Sequence, residues 1–324
     1  MIINIPAPDE LENISLRLHF AAWADLLSVI AEFDEVYEPD SDNTNMWMEE
    51  KELYVEACQP ELQSICAVIQ QSNEMALKAR ICAVSPYLLL LNADNKFSTQ
   101  PKEIDFFSLR TLDAVDLPST ASTFCSTPLS DKFIQKYNAI RALRNSVVHA
   151  GKANTAFSAD ELLHTLIFLY GELWPTRKWL ADRVQYAGET RRAFFHDGRW
   201  NSAHAMVMNE LPEAYALFTN NEFKSLFGKP KSARRYICHE CSYQATTKGG
   251  RPDPDSCQTA WLADNTHLTC RMCAKTFKVV RTPCSEPGCK GNVIGGNDDD
   301  YVGICHTCGE GNDGFQEFQN SGRA

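Results

Sequence analysis

FIQKYNAIRALRNSVVHAGK, residues 133–152, decides how the first two thirds of the chain are read. At about 100° per residue, Phe133, Tyr137, Ile140, Val147 and Val148 gather within an arc of about 100°, which predicts an amphipathic helix over 131–149. Gly151 follows as a stop signal, because glycine readily takes the left-handed backbone that closes a helix. Arg144 falls in the middle of the apolar stripe. A guanidinium cannot shed its charge, so burying it alone is costly. It needs a carboxylate such as Glu74, a wet cleft at a subunit interface, or an anionic substrate. Asn145 and His149 share a neighbouring face four residues apart, with His149 at the helix end, where a cation is favoured beside the last carbonyls.

Outward from this helix the same periodicity recurs. It predicts helices over 16–36, over 48–82 with a break near Pro60, over 101–117 closed by Pro118, over 158–174 and within 200–227. A Ser/Thr-rich loop is expected up to about 130. Ser158 with Glu161 three residues on has capping-box spacing, and Pro175 is expected to kink its helix rather than end it. No alternating strand pattern precedes residue 229. The expected fold is mainly α, a helical bundle over 1–228 followed by a small cysteine-rich region with short β-hairpins. KPKSARR (229–235) reads as the linker between them.

Composition narrows the function classes. The chain has 324 residues, 44% of them hydrophobic, and a net charge of −11. Nucleic acid could be bound only where basic charge is concentrated locally. The longest apolar run, ICAVSPYLLLL (81–91), is short of a membrane span and carries Pro86. The N-terminus has no basic segment leading into an apolar core, so a cytoplasmic address is expected, with no membrane partner. No phosphate-binding glycine loop, G-x-S-x-G element or helix-turn-helix is evident. His19, His164, His196 and His204 lack partners at diagnostic spacing.

Four of the 13 cysteines (Cys58, Cys66, Cys82, Cys125) are scattered through the helical region, where they read as small buried hydrophobes. The other nine lie between 238 and 308. Eight form two paired sets: Cys238-x2-Cys241 with Cys270-x2-Cys273, and Cys284-x4-Cys289 with Cys305-x2-Cys308. Each paired turn presents two thiolates to one ion, and zinc takes four such donors tetrahedrally. Modules this small and polar bury little apolar surface, so two structural zinc ions are expected to hold them. Sequential pairing gives two ribbons; cross-bracing would use the same eight residues. Cys257 and His267 lie between the pairs of the first unit as substitute ligands or uninvolved loop residues.

Charge divides the region into a basic first ribbon (229–281) and an acidic second ribbon and tail (282–324). The first carries Lys229, Lys231, Arg234, Arg235, Lys248, Arg251, Arg271, Lys275, Lys278 and Arg281 against Glu240, Asp253, Asp255 and Asp264. That basic surplus could follow a phosphate backbone, with Tyr236, Tyr243 and Trp261 to stack on bases, or could simply face solvent.

The string LRNSVVHAG resembles the R-N-x3-H signature of the HEPN superfamily, helical bundles that include metal-independent ribonucleases of bacterial toxin and phage-defence systems. The specific match is Arg144, Asn145 and His149, followed by Gly151; the broader one is the helical layout of about 16–190. The resemblance implies a homodimer whose motif helices pair around one RNA-cleaving cleft. In it His149 would exchange protons, Arg144 would stabilise transition-state charge, and Asn145 would orient a phosphate oxygen or the histidine. RNA is then the expected substrate, with room for a protein inhibitor or activator. Some members serve only in binding or dimerisation, which leaves a non-catalytic adaptor as the alternative.

Overall fold

The computed structural model describes residues 1–37, 44–91, 103–150, 156–195, 202–248, 250–296 and 300–312, with the backbone alone at 44–45, 147–150, 192 and 195. It is mainly helical, with ten α-helices among the described residues and a few short strands. The chain folds as two compact units, Met1–Pro175 and Thr176–Ala324.

The first unit is built on two long helices, α1 (Pro8–Val36) and α3 (Gln59–Val84), separated by α2 (Thr44–Ala57). Pro8 opens α1, where its missing N–H costs nothing, and the acidic Asp9 and Glu10 complement the helix dipole. Pro60 does the same in the first turn of α3, so the chain breaks at Cys58 as its sequence suggests. Where α1 and α3 cross, Ser15 Oγ donates to the Ser72 carbonyl at 2.6 Å and Ser72 Oγ to the Ser15 carbonyl at 2.8 Å. Two small buried hydroxyls thus bring the backbones together while satisfying their own polarity. α1 is long and apolar enough to cross a membrane, but over half of its most apolar stretch is buried within the fold.

Helix α5 (Asp131–Ala150) lies on α3, and α6 (Ala159–Leu173) on α1 and α3. Phe133, Tyr137 and Ile140 of α5 are buried, at 0%, 0% and 3% exposure, as the stripe requires. Ser158 caps α6, accepting from the Glu161 amide at 3.3 Å. Pro175 does not kink this helix: α6 stops at Leu173, since the residue before a proline is pushed out of the helical region.

No α-helix forms over residues 103–116. Ile104–Asp105 forms a strand (β2) parallel to Ile2–Ile3 (β1), and a 3-10 turn follows over Phe106–Ser108. Asp105 turns the chain by accepting from the Phe107 amide at 2.9 Å and from Asn4 Nδ2 at 2.9 Å. Pro118 opens helix α4 (Leu117–Phe124) instead of closing one, so the Ser/Thr-rich segment is partly helical.

The second unit contains α7 (Trp179–Ala187), α8 (Ala203–Leu217), α9 (Asn220–Phe227), α10 (His239–Ala245) and a four-stranded antiparallel sheet. Its strands β3 (Ala260–Leu262), β4 (His267–Cys270), β5 (Thr276–Val280) and β6 (Ile294–Gly295) pair in sequence order. Arg183 of α7 and Glu210 of α8 form a bidentate buried ion pair at 2.7 and 2.8 Å. A Thr219–Glu222 capping box opens α9, and Gly228 closes it at φ 67.

The segment 229–235 is packed rather than slack. Phe227 stacks on Trp261 of β3, with centroids 5.8 Å apart at 17°, and Trp179, Tyr215, Phe218 and Phe223 complete one aromatic core. Lys231 Nζ satisfies the carbonyls of Ala216 and Phe218 at the end of α8, at 3.0 and 2.7 Å. Arg235 lies over Tyr215, 4.8 Å from its centroid. Helices 179–227 therefore share one compact unit with the cysteine-rich sheet. The divisions 1–228, 229–281 and 282–324 do not follow this packing.

Candidate metal centres and the Arg144 face

The eight paired cysteines converge as two groups of four. Cys238, Cys241, Cys270 and Cys273 form one, and Cys284, Cys289, Cys305 and Cys308 the other, with the ligand atoms of each group within 4.8 Å of one another. The pairing is sequential, not cross-braced. Cys238 and Cys241 come from the start of α10, while Cys270 ends β4 and Cys273 lies in the turn to β5. That turn is completed by Ala274 at φ 61.

The sulfur spacing fits a tetrahedral ion. A metal–sulfur bond of about 2.3 Å gives a tetrahedron edge of about 3.8 Å. Four of the pairs here are Cys238–Cys273 and Cys241–Cys270 at 3.7 Å, Cys284–Cys308 at 3.8 Å and Cys289–Cys305 at 4.0 Å. Backbone amides also point at the sulfurs: Met272 at Cys270 (3.2 Å), Gly291 at Cys289 (3.3 Å), Thr307 at Cys305 (3.4 Å) and Glu286 at Cys284 (3.5 Å). Such donors favour the thiolate form that a metal ligand needs. Gly291 is dictated by space, since a Cβ there would lie 2.8 Å from Cys305 Sγ. The two groups fit two structural metal sites.

The centres are joined directly. The Ile237 amide donates to the His306 carbonyl at 2.8 Å, and His306 Nδ1 lies 2.8 Å from the Ile237 carbonyl. His239 and His306, each next to a cysteine of a different group, bring their rings to 4.4 Å. The β5–β6 pairing, Val279 with Gly295 and Val280 with Ile294, carries the sheet across both groups. Cys257 and His267 take no part: Cys257 Sγ is directed at the Pro252 carbonyl, and His267 Nδ1 lies 3.1 Å from Asp264.

The nucleic-acid face expected of the first ribbon is reduced. Tyr236 and Trp261 are buried in the fold, at 4% and 2% exposure, and cannot stack on bases; Tyr243, at 74%, can. Lys229, Lys231 and Arg235 are used within the unit, and Lys275 pairs with Glu240 at 2.6 Å. Arg234, Lys248, Arg251, Lys278 and Arg281 remain at the surface.

On α5, Arg144 follows Ile140 at a four-residue step and is half-buried. Its Nη1 donates to Asn145 Oδ1 at 3.0 Å, so the two motif residues are in contact. Glu74 is not its partner: that carboxylate accepts from Gln70 Nε2 at 3.1 Å, while Lys78 reaches Thr111 at 3.5 Å. His149 belongs to the last turn of α5, but its side chain, like Gly151 and His196, lies outside the described residues. Among the other histidines, His19 is buried in the first unit and burial pushes its pKa down to about 3. Burial also lowers that of His204. Residue spacing alone did not single out Arg141, which stands three positions before Arg144 with a buried Nε. In comparisons with known proteins the chain matches no family model, no curated protein and no solved structure.

Proposed function

We propose that the chain is a metal-independent endoribonuclease of toxin or phage-defence type, acting through Arg144, Asn145 and His149 in a homodimer of the HEPN kind. The carrying observation is the Arg144–Asn145 pair on α5, a half-buried guanidinium bonded to a neutral amide rather than to a carboxylate. Its remaining donors suit a phosphate, whose oxygens match the planar fork. In the proposed reaction the ribose 2′-OH gives up its proton and its oxygen attacks the adjacent phosphorus. The bond from phosphorus to the 5′-oxygen breaks, and that oxygen takes up a proton, leaving a 2′,3′-cyclic phosphate and a 5′-hydroxyl. His149 of one protomer or the other moves these protons, a task suited to an imidazole with an ordinary pKa near 6.5. Arg144 meets the charge that develops on the phosphoryl oxygens.

We further assign zinc to the two tetra-cysteine centres. Four thiolates complete the ion's tetrahedral shell, so such an ion organises the sheet and activates no water. The second reading, a non-catalytic adaptor with a dimerising bundle and a recruiting metal region, is favoured by the net charge of −11. Purified protein and its His149→Ala variant incubated with total RNA separate the two. Cleavage that persists in EDTA while the centres keep their metal, ends in cyclic phosphate and falls about 10²–10⁴-fold in the variant supports the ribonuclease. Undiminished cutting by His149→Ala, or cutting of an all-deoxy strand, overturns it.

A further inference from the structure

Arg141 is a second half-buried arginine of helix α5. Its Nε is closed off from solvent with no hydrogen-bond partner. Its Nη2 makes a marginal contact with Asn138 Oδ1 at 3.5 Å. Neither Arg141 nor Arg144 forms an ion pair among the described residues. Glu74 of α3 accepts from Gln70 Nε2 at 3.1 Å. Its charge is felt at Tyr137: burial raises the pKa of the Tyr137 phenol, Glu74 adds to the rise and Arg141 offsets it. That closed-off Nε is out of a ligand's reach; an anion would bond the Nη donors, which pair with no carboxylate among the described residues.

Helix geometry sets where that anion would lie. Arg141 is within about 60° of both Arg144 and Asn145 around the helix axis. It precedes them by about 4.5 and 6 Å along the axis. That offset is comparable to the step between neighbouring phosphates of an extended single strand. Lys132, by contrast, is on the far side of the helix, its Nζ 4.8 Å from the centroid of the Phe168 ring of α6.

We propose that Arg141 binds the phosphate next to the one held at Arg144, so that the α5 face engages two consecutive phosphates of a single-stranded polynucleotide. The identity of the strand as RNA rests on the ribonuclease reading; the phosphate contact does not. Arg141 is thus a positioning residue, and a minimal dinucleotide with one phosphate is a poorer ligand than a longer strand.

The test is fluorescence anisotropy of the full, metal-loaded chain with a short labelled 2′-O-methyl oligoribonucleotide, which cannot be cut. Binding is followed as KCl rises from about 50 to 300 mM, where phosphate contacts dominate the salt dependence. Arg141→Gln should weaken binding about tenfold at low salt and reduce the log–log slope by about 0.7, the loss of one single-strand phosphate contact. Arg141→Lys should keep the slope, and Lys132→Gln should behave as wild type. Circular dichroism checks that each variant is folded. A wild-type slope for Arg141→Gln, or an equal loss for Lys132→Gln, overturns the inference while leaving any observed cleavage untouched. An Arg141-dependent slope in a protein that never cuts RNA upholds it and sinks the ribonuclease reading instead. A wild type that neither binds nor cuts removes both.

Discussion

Phe227→Ala tests whether the helices of the second unit and its cysteine-rich sheet are one folded body. Phe227 is 2% exposed. Its ring stacks on Trp261 at 5.8 Å and meets Phe223 at 4.6 Å, Tyr215 at 5.6 Å, Phe218 at 5.8 Å and Trp179 at 6.2 Å. Truncating a buried phenylalanine costs about 3–5 kcal/mol, and five aromatic neighbours leave little freedom to collapse into the space. Taking about 4 kcal/mol, a unit of this size should melt about 8–16 °C lower. Calorimetry would follow the transition, with a chromogenic chelator reporting metal release in parallel. Both midpoints should move together, because Trp261 lies on the strand paired with the one that ends in Cys270. A fragment beginning at residue 229 should likewise show Trp261 emission shifted toward that of a wet indole. A shift under about 3 °C, or metal release at the wild-type temperature, would refute a shared core and restore a domain boundary at 229–235.

Two further outcomes follow from the same structure. Metal analysis of reduced protein should find two zinc ions per chain, and a strong chelator should unfold the second unit while most of the first unit's helical dichroism survives; one ion or none per chain would contradict the tetra-cysteine geometry. His19, among Phe20, Tyr170 and Trp174, has its pKa pushed by burial from 6.5 to about 3. Below pH 6.5 the unfolded chain therefore takes up a proton that the folded one refuses, and stability falls by about 2 kcal/mol between pH 7 and 5. His19→Leu should lose this component, so equal pH slopes in urea unfolding of the two proteins would count against a neutral buried imidazole.

Local spacing made part of this molecule legible, and long-range packing hid the rest. The cysteine sets could be read because each pair is only a few residues apart and because four sulfur donors have few other uses. The stripes of α1, α3, α5 and α6 are long enough for their period to dominate. Residues 101–117 misled because their apolar spacing imitates a helix, while the deciding groups are the Asp105 carboxylate and Asn4, 101 positions away. KPKSARR has the composition of a linker, yet Lys231 closes the carbonyl end of α8 and Arg235 covers aromatic rings. Both long side chains lay apolar stems along the fold, which composition does not distinguish from exposure. Trp261 and Tyr236 misled in the opposite sense, since an aromatic beside basic residues suits a base-stacking surface and a core equally well.

For Arg144 the division runs through a single residue. Its place on the buried side of α5 follows from counting along the helix, and the structure puts it one step beyond the fully buried Ile140. Whether a carboxylate neutralises it depends on which side chains α3 presents, and Glu74 could have done so from sequence alone. Its engagement by Gln70 leaves two guanidiniums on one helix face served by the amides of Asn138 and Asn145. Neutral amides satisfy donors without cancelling charge. An anion drawn to that face gains most from the half-buried, less-screened donors. The closed thiolate centres of the second unit offer no comparable open position. If the chain performs chemistry on a phosphodiester, the physical case places it on α5 and makes the two metals supports of the fold.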